Sequence, residues 1–400
     1  GLGYGLSVRG RMLDQLMLKA QHQLAEKYNL DFKVQKYGFS GMTTVAFDQI
    51  DVTAQGQTKL ADIERMSVSV RLWPLLFGDV KLGDLNLRNA KITLVKKDSV
   101  SNYDFLFKKK NQDTVVQSPP DGRNYAALID GVLKQVFFKI PSDMEISNFE
   151  LSYQDDSTQQ RIRLPQAVID GGDFETSLFL NDHDAQWNLV GKVNPDRQSL
   201  KVAISSEQKD VELPLLRRKF GLQVSFDEVM FDLNKVVRKS KDSLQLMGGW
   251  SFVNLKVKHH RLSEDQIVLP GADGEGQINI GKQLMEVADN SVVRVKDFEF
   301  SPHLKFSPGP EKILDLSIHT GMFKAQHFFD ALPKGLFETL DGVEVEGDIA
   351  YDLDFKVNFA KPDELIFNST MDDSALKVLK WGKANISDMN SAFTYHAFED

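Results

Sequence analysis

The chain has 400 residues, 42% of them hydrophobic, and a net charge of −9. The apolar content supports a packed core or an apolar groove over disorder. The absence of cysteine excludes disulfide scaffolds, zinc–thiolate centres and cysteine nucleophiles. No basic tract is longer than Lys108-Lys109-Lys110, which argues against a nucleic-acid partner, because phosphate neutralisation needs clustered Lys and Arg.

The opening GLGYGLSVRGR passes abruptly from small apolar residues to basic ones. It reads either as the trailing edge of a membrane anchor or as an ordinary helix start. Residues 7–28 are expected to be helical, with Leu13, Leu16, Met17, Ala20 and Leu24 at helical spacing and Asn29 as a stop. No run of about 18 apolar residues exists, so no spanning helix is expected within these 400 residues.

From Phe32 to Phe107 the period is two. Met66, Val68, Val70 and Leu72 alternate with Ser67, Ser69 and Arg71, giving a strand with one apolar and one wet face, as antiparallel sheets have. Trp73-Pro74 ends the run, and Gly78-Asp79 signals a turn. Val80 and Leu82 then precede Leu85 and Leu87, with Gly83-Asp84 between the pairs. A bulge or kink at those two residues would keep both pairs on one face.

The resulting pattern, Φ-x-Φ-x-x-Φ-x-Φ with Φ apolar, recurs. It fits Phe32 to Phe39, Val45 to Val52, Met144 to Leu151, Val224 to Phe231, Trp250 to Val257 and Val293 to Phe300. The residue before the second pair is often short and polar or acidic (Asp84, Asn148, Glu228, Asn254, Asp297), a type that bonds to nearby backbone and tolerates kinks. We read it as one structural unit reused along the chain.

The stretch KKKNQDTVVQSPPDGR is expected to be a mobile loop. A second helix from about Asn124 carries the stripe Tyr125, Leu128, Ile129, Val132, Leu133, Val136 and Phe137, closed by Pro141 and expected to pack on a sheet. Strands follow from Met144 to Ile204, then a short helix at LPLLRRKFG. More strands run from Val224 to Phe306, with LPGADGEGQ expected as a turn cluster. In MFKAQHFFDALPKGLFETLDG the residues Ala325, Phe328, Phe329, Leu332, Leu336 and Leu340 share a face, and Pro333 divides the stretch into two helices. IAYDLDFKVNF alternates cleanly. The expected fold class is mainly β with a few helices (α+β): elongated, curved antiparallel sheets of repeated bent strand pairs, lidded by amphipathic helices. The expected segments are 1–30 (helix after an anchor), 31–107 (β unit), 108–123 (linker), 124–210 (helix plus β unit), 211–320 (β-rich unit) and 321–400 (helix plus β unit).

Candidate chemistry is sparse. His259 and His260 are adjacent, which on a strand would turn them to opposite faces, and His183 lies in the loop NDHDAQ; no His pair has metal-ligand spacing. GADGEG lacks dinucleotide-loop spacing, no nucleophile elbow occurs, and Asp155-Asp156 and Asp372-Asp373 read as solvated turns. No catalytic residue, metal ligand or cofactor is assigned, and the chain is expected not to be an enzyme.

Three phrases, MSVSVRLWPLLFGDVKLGDLNLRNAKITL, LPKGLFETLDGVEVEGDIAYDLDFKV and NISDMNSAFTY, resemble the AsmA-like family of bacterial envelope proteins. The resemblance covers the first hundred and last eighty residues; the middle shares only the rhythm. It implies a periplasmic module anchored to the inner membrane and a β-groove binding or transferring a phospholipid or isoprenoid lipid in envelope biogenesis. Groove candidates are Val68, Val70, Leu72, Leu85, Leu87, Leu353 and Phe355. FLFKKK, KIPSDMEISNFELSYQDDS and VELPLLRRKFGL are also similar to the region ahead of Bacteroidota-type family 51 peptidoglycan glycosyltransferases, whose catalytic motifs are absent here. That likeness implies envelope or peptidoglycan-synthesis proteins as partners. It leaves open a spacer for such an enzyme, and a third reading is a glycan-active β-sandwich enzyme.

Overall fold

The computed structural model describes residues 2–70, 82–106, 124–141, 143–181, 185–206, 217, 221–260, 263–308, 311–381 and 393–395. The expected mainly β architecture is what these residues adopt: open β-sheet dominates, with three α-helices among the described residues. The expected linker and the LPLLRRKFG helix fall almost wholly outside them. The chain divides into two compact units, residues 1–117 with 135–196, and 118–134 with 197–400.

In the first unit, α1 (Leu2–Tyr28) is followed by β1 (Leu30–Phe39), β2 (Thr44–Ala54), β3 (Lys59–Val70), β4 (Leu82–Lys97), the short β5 (Val100–Ser101), β6 (Met144–Gln154), β7 (Gln159–Asp170), β8 (Asp173–Leu180) and β9 (Ala185–Asn194). Asn29 ends α1 in the left-handed region at φ 57°, a conformation Asn tolerates better than most residues. The ladders run β1–β2–β3–β4–β6–β7–β8–β9 and are antiparallel except one: β4 and β6 pair in parallel.

The phase slips read in the sequence of this unit have two physical forms. At Gly83-Asp84 there is a bulge: Val68 pairs with Leu85 but Val70 with Leu82, so β4 carries one extra residue. Elsewhere along this line the register is unbroken across the slip, and in alternate strands one residue turns left-handed: Gln49 (φ 53°) in β2, Asn89 (φ 49°) in β4 and Asn148 (φ 58°) in β6. These residues are aligned. The missing rungs are Gln35 opposite Gln49, Gln49 opposite Glu64, Glu64 opposite Asn89, Asn89 beside Asn148, and Asn148 opposite Pro165. They form one transverse line across six strands. Asp48 and Ile50 would share a face in a regular strand; here Asp48 is ion-paired to Arg65 at 2.9 Å and Ile50 is buried, so the left-handed residue reverses the alternation. Side chains tie the line together: Asn89 donates to Glu64, and Asn148 Nδ2 donates to Asn89 Oδ1 at 3.0 Å. The Asn89 amide, with the Arg88 guanidinium behind it, holds the Glu64 carboxyl below its ordinary range.

The second unit contains the first turns of α2 (Tyr125–Lys139), then β10 (Ser199–Ser206), β11 (Gln223–Ser225), β12 (Glu228–Ser240), β13 (Ser243–His259), β14 (Ser263–Ile280), β15 (Met285–Val287), β16 (Val292–Val295), β17 (Phe298–Phe300), β18 (Pro302–Ser307), β19 (Ile313–His319), β20 (Phe323–Lys324), α3 (Ala325–Ala331), β21 (Glu344–Asn358), β22 (Lys361–Lys380) and β23 (Phe393–Tyr395). Its described ladders are antiparallel, running β10–β12–β13–β14, then through β15 to β18–β19–β21–β22–β23. The kink recurs here: Asn254 (φ 51°) stands at a missing rung opposite Pro270 and donates to Asp227.

Three local expectations are corrected. LPGADGEGQ lies inside β14 and is not a turn cluster. Glycines here are required by close strand approach: a Cβ on Gly274 would lie 2.7 Å from the Trp250 indole, and one on Gly248 of β13, which pairs with Gly276, 1.9 Å from the Asp232 carbonyl oxygen. Lys296-Asp297 is a two-residue hairpin turn between β16 and β17, which matches the same pattern because it also inserts two residues. The second helix expected after Pro333 is a single 3₁₀ turn at Glu338–Leu340.

The apolar stripe of α2 is narrower than its sequence indicates. Asn124 caps the helix, its Oδ1 accepting from Ala127 N–H at 3.1 Å. Ala126, Ile129 and Leu133 pack against Leu244, Leu246, Ile280 and Met285, whereas Leu128 and Val132 are 53% and 56% exposed. In α3, Ala325, Phe328 and Phe329 join a core with Val343, Val345, Ile349 and Leu376, while Leu336 is exposed.

Candidate functional site

Residues paired across a ladder point to the same face, so the registers reveal rows of side chains crossing the first unit's sheet. One row is Phe39, Val45, Val68, Leu85, Met144, Ile169. The next is Tyr37, Phe47, Met66, Leu87, Ile146, Ala167. Beyond the kink line come Val34, Ile50, Ile63, Ala90, Phe149, Leu164 and then Phe32, Val52, Ala61, Ile92, Leu151, Ile162. No charged side chain interrupts these four rows. The left-handed residues put the two pairs of rows on one face, which regular alternation would not do.

The opposite face carries charge. Lys33, Asp51, Asp62, Lys91, Glu150 and Arg163 form a corresponding row. The like-charged neighbours Asp51 and Asp62 are bridged by Lys59 at 2.8 and 3.6 Å, and Lys91 reaches Glu150 at 3.5 Å. The Asp51 carboxylate, ahead of the opposing cost of burial, raises the Lys59 pKa.

The apolar face is covered at one edge. α1 lies along β1: Arg9 sits 4.3 Å over the Phe39 ring, Tyr37 donates to Asp14 at 2.8 Å, and Gln21 donates to the Phe32 carbonyl at 3.2 Å. The Asp14 acceptor raises the Tyr37 pKa. Further along the rows Met66, Leu85, Leu87, Ile146, Phe149 and Leu151 are half-buried, among the buried Ala61, Val68, Ala90 and Ala167.

Of the groove candidates, Val68, Leu85 and Leu87 lie together on this face, Val68 directly opposite Leu85 and itself buried. Val70 pairs with Leu82 beyond the bulge, and Leu72 lies outside the described residues. Leu353 and Phe355 lie in the second unit, within rows of the same character: Pro302, Ile318, Leu353 and Leu304, Leu316, Phe355, Phe367. The Phe355 and Phe367 rings meet edge-on at 6.2 Å. Sequence reading placed Met66 with Val68 but missed Ile146, Ile169, Leu304 and Leu316 as neighbours of these residues. Their alternation is visible in the chain, but their adjacency depends on register.

Other polar groups are accounted for structurally. Asn102, 1% exposed, accepts from Val95 N–H and donates to the Thr93 and Thr58 carbonyls, closing the end of β4. His259 and His260 stack at 4.5 Å, where regular alternation would separate them. Among the described residues no group of His, Cys, Asp or Glu could hold a metal ion, and no helix is long and apolar enough to cross a membrane. Compared with known proteins, the chain matches no protein-family model and no curated sequence.

Proposed function

We propose that this chain is a non-catalytic, membrane-anchored periplasmic module of the AsmA-like kind, whose open apolar sheet face binds or transfers a lipid in envelope biogenesis. The observation that supports this reading is the set of four uninterrupted apolar rows, whose larger side chains beyond β2 are mostly half-buried. A partly covered apolar face suits flexible hydrocarbon, which needs contact area and no directed polar partner. The ligand class is a phospholipid or an isoprenoid lipid, held by its apolar chain.

Protein purified gently from bacterial membranes is expected to carry lipid detectable by native mass spectrometry and to take up a fluorescent acyl probe. Leu87→Asp puts a charge in the centre of the rows and is expected to reduce probe uptake at least severalfold, with unfolding followed in parallel. Protein that is lipid-free and indifferent to the probe would leave a structural spacer for a peptidoglycan-synthesis enzyme as the reading to pursue.

A further inference from the structure

The corner where α1 meets the β1–β2 turn combines three features that the sheet face does not explain. First, the turn Ser40–Thr43 presents Met42 at 84% exposure, a higher value than any other exposed large hydrophobic side chain among the described residues. Second, the turn is held in place by α1, because Arg9 donates to the Gly41 carbonyl at 3.0 Å and to the Met42 carbonyl. Third, α1 runs antiparallel to β1, so with Arg9 level with the turn its residues Leu2–Val8 extend beyond it. At 1.5 Å per residue that extension is about 10 Å. Its sequence, LGYGLSV, contains no charge, whereas Arg9 and Arg11 follow at once and the first carboxylate of the helix is Asp14. Val8 and Met12, the apolar residues nearest Arg9 and Arg11, are 37% and 40% exposed. On the sheet, the nearest described carboxylates at this end, Asp84, Asp143, Asp170 and Asp173, begin two strands further in than β2.

We propose that this corner is a membrane-docking surface: the Met42 turn, held by Arg9, enters the interface of an anionic bilayer while the exposed Arg11 meets lipid phosphates. An apolar tip backed by a basic collar is the arrangement that interfacial binding requires, since apolar burial and attraction to anionic lipid add. In a chain of net charge −9, the basic residues that open α1 give that contact its direction. The inference does not depend on the sheet face holding lipid.

The chain lacks cysteine, so Met42→Cys can be labelled uniquely with an environment-sensitive fluorophore; Val132→Cys, also exposed, on α2, serves as the control site. With vesicles of equimolar phosphatidylcholine and phosphatidylglycerol, the label at 42 is expected to shift to the blue and brighten severalfold. Phosphatidylcholine alone should give little response, and high salt or Arg11→Glu should suppress the signal. The label at 132 should not respond. No change at 42, an equal change at 132, or a blue shift at 42 that grows with protein concentration without vesicles (self-association) would each overturn the proposal. Acyl-probe uptake, measured on the same labelled protein, reports separately on the sheet face.

Discussion

Asn148 stands opposite Pro165 across the β6–β7 ladder, and neither contributes a rung there. Asn148 is left-handed at φ 58°, and proline has no N–H to give. The same pair recurs as Asn254 opposite Pro270, within Ile-Arg-Leu-Pro-Gln-Ala in one case and Ile-Val-Leu-Pro-Gly-Ala in the other. Asn148→Gly should therefore be nearly neutral, whereas Asn148→Val, a β-branched residue forced to positive φ, should cost about 1–3 kcal/mol. Urea melts of the two variants check this; equal stability would mean that the kink is not set by this residue.

The two sides of α2 predict opposite responses to the same substitution. Leu133→Asp places an unpaired charge against Leu244 and Ile280 and should destabilise by about 3 kcal/mol or more. Val132→Asp, on the exposed side, should change stability by no more than about 0.5 kcal/mol. Melting temperatures separate the two.

Asp130 gives a pH prediction. Burial alone would raise its pKa, but hydrogen bonds from Lys134 at 2.7 Å and from Arg238 outweigh burial and lower it. A carboxyl depressed in the folded state contributes stability that is complete above its unfolded value, near 3.9, and is lost as pH falls through the folded one. Asp130→Asn should thus cost about 1–2 kcal/mol at neutral pH, with the gap to the parent closing in acid, as pH falls through the depressed folded value. Denaturant midpoints at neutral and acid pH measure it.

Gly248→Ala should destabilise more than Gly274→Ala. The new Cβ would lie 1.9 Å from the Asp232 backbone oxygen in the first case and 2.7 Å from the Trp250 ring in the second, and a ring can tilt where a paired strand cannot. The second variant should instead alter tryptophan emission, because Trp250 now lies against Gly274 and stacks on Phe252 at 5.7 Å.

The strand period and the two-residue slips were legible because each strand has one wet face. Their meaning was not, because Gly83-Asp84, Asn148 and Lys296-Asp297 insert the same two residues and become a bulge, a left-handed kink and a hairpin turn. Only the partner strand decides among them. Asn89 was missed for the same reason, since the slip at Gly83 had already accounted for that strand. The glycines of β14 suggested turns by composition, yet Gly274 is small because Trp250 occupies the space beside it. The candidate face was half-legible: Leu85 and Leu87 could be nominated from alternation, but Ile146, distant in sequence, joins them only through the parallel β4–β6 ladder.

That ladder also bears on how the first unit assembles. Its other pairings join strands adjacent in sequence through short connections, but 46 residues separate Lys97 from Met144. Closing a loop roughly ten times longer than a hairpin turn costs about 2 kcal/mol more in chain entropy. The hairpins on either side should therefore form early and dock late, so the β4–β6 contact is the expected rate-limiting event, and the two apolar halves stand unpaired until it occurs.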